Sequence, residues 1–162
     1  MENKSCFFTG HRYAPFDTLL IVKTGHVIID LIEKGVTDFY AGGAIGFDTF
    51  CEKLVLSLRK KYPQIRLHLI LPCPPEIQTA KWTDVQKEEY NKILNDADDV
   101  KIISDSYDKN CMKKRNARLV ELGDICLCYF NEKDKRSGTG QTVRMAQKAG
   151  KKIINLYNFS EE

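Results

Sequence analysis

The residues best placed to do chemistry are three glycines and an aspartate in the segment Ala-Gly-Gly-Ala-Ile-Gly-Phe-Asp, residues 41–48. Gly42 and Gly43 end a short β-type run, and Gly46 precedes residues with the apolar spacing of an amphipathic helix. The first N–H groups of a helix are unpaired, and its dipole favours an anion there. Glycines let that anion approach the backbone without a Cβ in the way. The segment therefore predicts a phosphate-bearing ligand, such as a nucleotide.

The same glycines also fit a tight strand-to-helix turn that needs them for geometry alone. They match neither G-x-G-x-x-G nor G-x-x-x-x-G-K-[ST]. Asp48 limits where the parts of a nucleotide can lie, because a carboxylate would repel a phosphate placed beside it. We expect Asp48 to accept a hydrogen bond from a ribose hydroxyl while the glycine amides hold the phosphate.

The elements that must position these residues alternate between strand and helix along the whole chain. This alternation predicts a single α/β domain over residues 1–162, with a Rossmann-like, doubly wound, mostly parallel open sheet and helices on both faces. A proline-rich turn at 72–75 is expected to continue neither a strand nor a helix, and the last residues are expected to fray. The predicted strands are 6–9, 37–41, 65–71, 100–104, 125–130 and 152–157, and the predicted helices are 17–34, 47–61, 83–97, 111–122 and one that ends at 149.

In such a sheet, ligands bind beyond the carboxyl ends of the strands, where the strand order reverses. A second glycine turn, 137–140, opens another helix on this edge, so two anion sites are expected there. The residues that this rule predicts to bind ligand are Gly10, His11, Arg12, Gly42, Gly43, Ala44, Gly46, Asp48, Arg115, Asn116, Ser137, Gly138, Thr139 and Thr142.

Several of these residues have a purely structural alternative. Arg115 shares a helix face with apolar residues and would need an anion partner there, but an exposed arginine can also cover apolar surface with its stem. His11 is also consistent with a turn histidine that has no chemistry. Thr139 and Thr142 suit helix capping as well as ligand binding. Trp82 and Tyr90 are expected to pack against the protein in preference to stacking on a base.

Composition excludes several classes of protein. The net charge of +3 argues against a nucleic-acid partner, and no run approaches the roughly 20 apolar residues of a membrane span. The N-terminal residues lack an apolar signal core, so we expect a cytoplasmic protein. The six cysteines have no C-x-x-C spacing and are expected mostly in the core, with no metal site. The sequence is consistent with a homo-oligomer as well as with a monomer.

The motifs together resemble the SLOG superfamily, which contains the SMF/DprA and LOG proteins, and within it the YpsA-like branch. The resemblance covers almost the whole chain. It rests on Thr-Gly-His-Arg at 9–12, Gly-Gly-Ala-Ile-Gly-Phe-Asp at 42–48, Trp82, Met-Lys-Lys-Arg-Asn at 112–116 and Ser-Gly-Thr-Gly-Gln-Thr at 137–142. It implies a Rossmann-like fold that binds nucleotides or molecules derived from them, such as ADP-ribose.

LOG relatives cleave the N-glycosidic bond of nucleoside monophosphates with an arginine and with the glutamate of P-G-G-x-G-T-x-x-E. Arg115 matches the arginine, but Thr142 stands at the glutamate position and Arg136-Ser137 precedes Gly138. These departures favour a nucleotide-binding or sensing protein without robust catalysis, with no cofactor implied beyond a bound nucleotide. A phosphoribohydrolase, with Arg115 and Asp48 as candidate catalytic residues, and an adaptor for single-stranded nucleic acid or a protein partner remain as alternatives.

Overall fold

A computed structural model describes residues 4–159 and shows a six-stranded sheet in the order β4-β3-β2-β1-β5-β6. Every neighbouring pair of strands is parallel, which confirms the predicted Rossmann-like α/β fold. The strands are β1 Ser5–Gly10, β2 Asp38–Ala41, β3 Arg66–Leu71, β4 Asp99–Ile102, β5 Ile125–Tyr129 and β6 Lys152–Asn155. The helices are α1 Thr18–Glu33, α2 Phe47–Leu58, α3 Pro75–Gln78, α4 Asp84–Asp96, α5 Cys111–Leu122, α6 Gly138–Lys148 and α7 Leu156–Phe159.

Two hydrophobic cores lie on opposite faces of the sheet. Phe8 of β1 packs with apolar residues of α1, α2 and α4, whereas Phe7 packs with those of α5 and α6. This division follows from the period of two in a strand, which sends successive side chains to opposite faces. All five residues of β5 are buried, as expected for a parallel strand covered on both sides. Helices therefore cover both faces of the sheet.

The helix ends show why local sequence predicted most of the boundaries. The Asp17 side chain accepts from the N–H of Leu20, and Thr83 forms a complete capping box with Gln86. Gly35, which follows α1, has a φ of +107°, a conformation that glycine adopts without a steric penalty.

Two short helices were not predicted. In the proline-rich turn, Pro75 begins α3, because its fixed φ suits the first position of a helix and its missing N–H is not needed there. Beyond β6, residues 156–159 turn into α7, so the last predicted strand is two residues too long. The predicted fraying concerns residues that lie partly outside the described range.

The order of the strands fixes where a ligand would bind. The chain adds β2, β3 and β4 on one side of β1, and then crosses to add β5 and β6 on the other. The direction of winding therefore reverses between β1 and β5, and a crevice opens beyond their carboxyl ends. Among residues 4–159, no helix is long and apolar enough to cross a membrane.

Candidate functional site

A cleft of about 390 Å³ lies at this reversal point, above the carboxyl ends of β1 and β5. The cleft brings together residues that are far apart in sequence, from Phe8 to Gln141, on the ends of β1, β2 and β5 and on α5 and α6. Ten of the predicted ligand-binding residues line it, namely Gly10, His11, Arg12, Ala44, Asp48, Arg115, Asn116, Ser137, Gly138 and Thr139. Gly42, Gly43, Gly46 and Thr142 do not line it, although Gly42 and Gly46 lie against the lining residues Arg115 and Arg12.

The first glycine turn is already filled by carboxylates of its own helix. The backbone N–H of Gly43 donates to Oε2 of Glu52 at 3.0 Å, and the backbone at Ala44 and Gly42 lies close enough to Asp48 to lower the pKa of its carboxyl group. The amide of Gly43 therefore faces a carboxyl group of the protein and not a ligand, whereas phosphate binding by the other glycine amides of this turn stays a prediction. Gly43 still needs to be glycine, because its φ is +74° and a Cβ would lie 2.8 Å from Leu71.

Glu52 is a residue of the site that the sequence analysis missed. Its side chain is 2% exposed, and it lies four residues after Asp48 on the inward face of α2. The available signal was its spacing, because a residue one turn after Asp48 shares the face of Cys51 and Val55. A charged residue on a buried face needs a partner, and the partner here is the glycine turn.

Burial makes both carboxyl groups hard to ionise. Desolvation raises the pKa of Asp48 from 3.8 to about 6, although Arg115 and the backbone hydrogen bonds oppose the rise. The pKa of Glu52 is raised well above its ordinary value by burial and then by the neighbouring Asp48 charge. Asp48 faces the cleft, whereas Glu52 lies behind it. Asp48 is therefore the buried carboxyl group with a raised pKa that the cleft presents to a ligand.

Arg115 is buried, at 4% exposure, so it is not a surface arginine that merely covers apolar residues. Its Nε donates to Oδ1 of Asn116 at 2.7 Å, and its Nη1 donates to the carbonyl of Gly42. A Cβ on Gly42 would lie 2.4 Å from this guanidinium, so the glycine makes room for the arginine. Arg115 therefore ties α5 to the first glycine turn and brings positive charge to Asp48.

The second glycine turn, unlike the first, is open to a ligand. The Ser137 hydroxyl caps α6 by accepting from the N–H of Gly140 at 3.0 Å. Among the described residues, the N–H groups of Gly138 and Thr139 find no acceptor. Thr139 is 8% exposed as a residue, and its hydroxyl has no hydrogen-bond partner within residues 4–159. Two amides and a hydroxyl at a helix N-terminus thus line the cleft.

Thr142 does not contribute to this opening. It is fully buried, and its hydroxyl donates to the carbonyl of Gly138 at 2.9 Å within α6. Neither Thr139 nor Thr142 caps the helix, because Ser137 does so. At the position where LOG proteins have a glutamate, this chain therefore has a threonine, whose neutral hydroxyl is bonded within the helix.

His11 is held in place from several directions. Its Nε2 accepts from the N–H of Asn131 at 3.0 Å, and its Nδ1 lies 3.8 Å from Asp134. Because Nε2 is an acceptor, the neutral ring carries its proton on Nδ1. Burial lowers the pKa of His11, against the attraction of Asp134. The ring stacks on Tyr13 at 4.7 Å, so His11 is a positioning residue between β1 and the loop after β5.

Among the described residues, no cluster of three metal-binding side chains occurs. All six cysteines are free and buried, and Cys73 and Cys111 lie at the ends of elements on the same edge as the cleft. Tyr90 is 6% exposed and meets Trp82 edge-to-face at 5.2 Å. The packing predicted for Tyr90 is confirmed, whereas Trp82 keeps part of its surface exposed.

Known proteins share both the sequence pattern and the fold. A UPF0398 protein of Bacillus anthracis is 27% identical over 91% of this chain and 85% of that protein. Another from Staphylococcus haemolyticus is 30% identical over 45% of this chain and 38% of that protein. DNA processing protein A of Helicobacter pylori, described for its single-stranded DNA binding mode, superposes with a TM-score of 0.65 at 18% identity.

That superposition covers 94% of this chain and 64% of the Helicobacter pylori chain. The chain therefore spans less than two thirds of that structure and of the Staphylococcus haemolyticus relative. The model of the YspA SLOG family matches residues 19–160, which include both glycine turns and the helix that carries Arg115. On that match, the chain belongs to the YspA SLOG family.

Proposed function

We propose that the cleft between β1 and β5 binds a nucleotide or a nucleotide derivative and does not hydrolyse it efficiently. The observation that carries this proposal is the open N-terminus of α6, where the N–H groups of Gly138 and Thr139 and the Thr139 hydroxyl are unpartnered. These donors suit a phosphate, because the helix dipole and free amides attract an anion. We therefore propose that the phosphate binds at the second glycine turn and not at the first.

The ribose is assigned to the floor of the cleft. Asp48 lines the cleft and is an acceptor that suits a sugar hydroxyl. Asn116 is 9% exposed, and its amide oxygen is already taken by Arg115. Asn116 lines the cleft, and its amide NH₂ has no partner among the described residues, so it can donate to a ligand. A donor and an acceptor close to an anion site are what a nucleoside phosphate needs.

A phosphoribohydrolase is less well supported by this arrangement. Cleavage of an N-glycosidic bond needs a carboxylate near the sugar, and Thr142 is buried at the position where LOG relatives have one. Single-stranded DNA is the ligand of DNA processing protein A, and it too presents phosphates and bases. The weak net charge of +3 favours a small ligand over a strand here.

Gly138 offers a direct test of the phosphate position. A Cβ at Gly138 would meet nothing within 4 Å, so Gly138→Ala preserves the fold while it crowds the anion site. We expect AMP or ADP-ribose at about 100 times its dissociation constant to stabilise the wild-type chain by about 2.7 kcal/mol in thermal-shift measurements. Gly138→Ala should reduce this shift strongly.

The matched control is Gly25→Ala in α1, which also meets nothing within 4 Å and lies outside the cleft. The control should keep the full shift. If no nucleotide at millimolar concentration shifts the wild-type chain, the proposed function is wrong. An oligothymidine that shifts the chain more than any mononucleotide would instead favour the single-stranded DNA alternative.

A further inference from the structure

A second cavity adjoins the cleft and is not used by the proposed mononucleotide. It measures about 520 Å³, within the range of about 300–1,000 Å³ that is typical of small-molecule pockets. The two cavities share Arg12 and Met112 in their linings. They are therefore neighbouring parts of one trough along the carboxyl ends of the strands.

The lining of the second cavity has the chemistry of a base-binding site. Trp82 and Tyr107 contribute aromatic rings, and Tyr107 is 65% exposed. Trp82 is fixed from behind by its edge-to-face contact with Tyr90. Gln78 accepts from the Tyr90 hydroxyl at 2.8 Å through Oε1, so its amide NH₂ is available as a donor. Aromatic rings beside a hydrogen-bond donor suit a nucleobase.

Arg12 stands where the two cavities meet. Its side chain is exposed and makes no hydrogen bond or ion pair with another described residue. The backbone of Arg12 is fixed against the first glycine turn, because a Cβ on Gly46 would lie 2.5 Å from it. A guanidinium at the junction of two nucleoside-sized spaces is placed to pair with a bridging phosphate.

We infer that the second cavity binds a second nucleoside, so that the ligand of this protein consists of two nucleosides joined through phosphate. This inference rests on the proposed function and specifies its ligand class. One nucleoside and its phosphate occupy the cleft between Asp48 and α6. The bridging phosphate passes Arg12, and the second base lies against Trp82 and Tyr107.

Trp82 is the single tryptophan of the chain and does not line the cleft, so its fluorescence reports on ligands that reach beyond the cleft. The full chain is titrated with AMP, with NAD, which has a pyrophosphate bridge, and with the diadenylate pApA, which has a phosphodiester bridge. We expect NAD or pApA to bind at least fivefold more tightly than AMP and to quench the emission. AMP should bind without quenching, and the tighter of the two larger ligands identifies the bridge.

Substitutions separate the second cavity from the first. Calorimetry should show that Trp82→Ala weakens binding of the larger ligand about 5- to 150-fold, the effect of losing one stacked base, and leaves AMP affinity unchanged. Trp82→Phe should restore most of the loss. Because Trp82 also packs on Tyr90, Tyr107→Ala provides an exposed second variant with the same expected direction. Val85→Ala, which is exposed and outside both cavities, is the control.

The outcomes are separable from those of the proposed function. If AMP binds and neither NAD nor pApA binds more tightly, the second site is refuted and the proposed function stands. Equal quenching by AMP, or unchanged affinity in both Trp82→Ala and Tyr107→Ala, also refutes the second site. If none of the three ligands binds, both proposals fail.

Discussion

The backbone N–H of Gly43 donates to the buried carboxyl group of Glu52 at 3.0 Å, across a turn that otherwise has the appearance of an anion site. A carboxyl group of the protein thus occupies a position that a ligand phosphate would take in other glycine turns. The bond fixes the conformation of a glycine with positive φ at the start of α2. Glu52 is therefore expected to be a structural residue of the site.

The first prediction concerns this bond. Glu52→Ala leaves the Gly43 N–H without a partner in a buried place, and it should lower the free energy of unfolding by about 1–3 kcal/mol or more. Glu52→Gln retains an amide oxygen that can accept the same bond, so it should cost much less. Urea denaturation of the two variants measures the difference. Equal losses in both variants would show that the hydrogen bond contributes little.

The second prediction concerns pH. Burial raises the pKa of Asp48 from 3.8 to about 6, so between these values the folded chain binds more protons than the unfolded chain. The contribution of Asp48 to stability must therefore fall as pH rises from about 4 to about 6, and then stay constant. The full loss is roughly 3 kcal/mol at most, since one pKa unit corresponds to about 1.4 kcal/mol.

Asp48→Asn removes this titration and retains an oxygen that can accept a backbone hydrogen bond. The free energy of unfolding of the wild-type chain minus that of the variant should therefore decrease between pH 4 and pH 6.5. Chemical denaturation at a series of pH values gives this difference directly. Parallel stability curves for the two proteins would mean that Asp48 titrates normally in the folded state.

The sequence was sufficient for the fold because each local signal agreed with the others. Asp17 and Thr83 cap their helices as their types predict, and the apolar run at 125–130 contains the fully buried strand β5. Reversal of the strand order then brings ten of the predicted residues to one cleft. The spacing of apolar residues and the residues that cap helices are local properties of the sequence, so they can be recognised without a structure.

The interior of the site could not be predicted in the same way. Whether the amide of Gly43 faces a ligand or Glu52 depends on the rotation of α2 and on which buried groups meet there. The bond from Arg115 to the Gly42 carbonyl joins residues 73 positions apart, and no spacing rule connects them. Which buried polar groups bond to each other is a property of the packed structure. The free N–H groups at the start of α6 could therefore be recognised only in the structure.

The third prediction concerns Arg115. Its bonds to Gly42 and Asn116, and its charge beside two buried carboxyl groups, make it part of the folded scaffold. Arg115→Ala should therefore lower the stability of the ligand-free chain by about 2 kcal/mol or more, because a buried carbonyl loses its donor and the carboxyl groups lose a counter-charge. Arg115→Lys retains the charge and should lose less.

Thermal denaturation without ligand tests this point, with Arg118→Ala as the control, since Arg118 lies on the exposed face of the same helix. A wild-type melting temperature in Arg115→Ala would contradict a structural role. Arg115 would then serve to bind an anionic ligand, and the effect of its substitution would appear only in binding measurements.

The last prediction concerns hydrolysis. Within the described part of the cleft, the carboxyl groups are those of Asp48 and Asp134, and the Asp134 side chain is 45% exposed. The charge of Arg115 and the nearby backbone favour the ionised form of Asp48, which suits an acceptor for a ribose hydroxyl. We therefore expect little or no release of free base from AMP, GMP, CMP or UMP. Chromatography with catalytic amounts of the protein measures this release.

Multiple turnovers on any of these four nucleotides would refute the prediction. Asp48→Asn and Asp134→Asn would then distinguish the two carboxyl groups. Loss of turnover only in Asp48→Asn would identify the buried aspartate as the catalytic acid or base. Its pKa of about 6 would in that case place the change in rate near pH 6, because the group must alternate between its protonated and ionised forms during catalysis. The carboxylate of the reaction would then come from the first glycine turn, with Thr142 of the second turn remaining a helix residue.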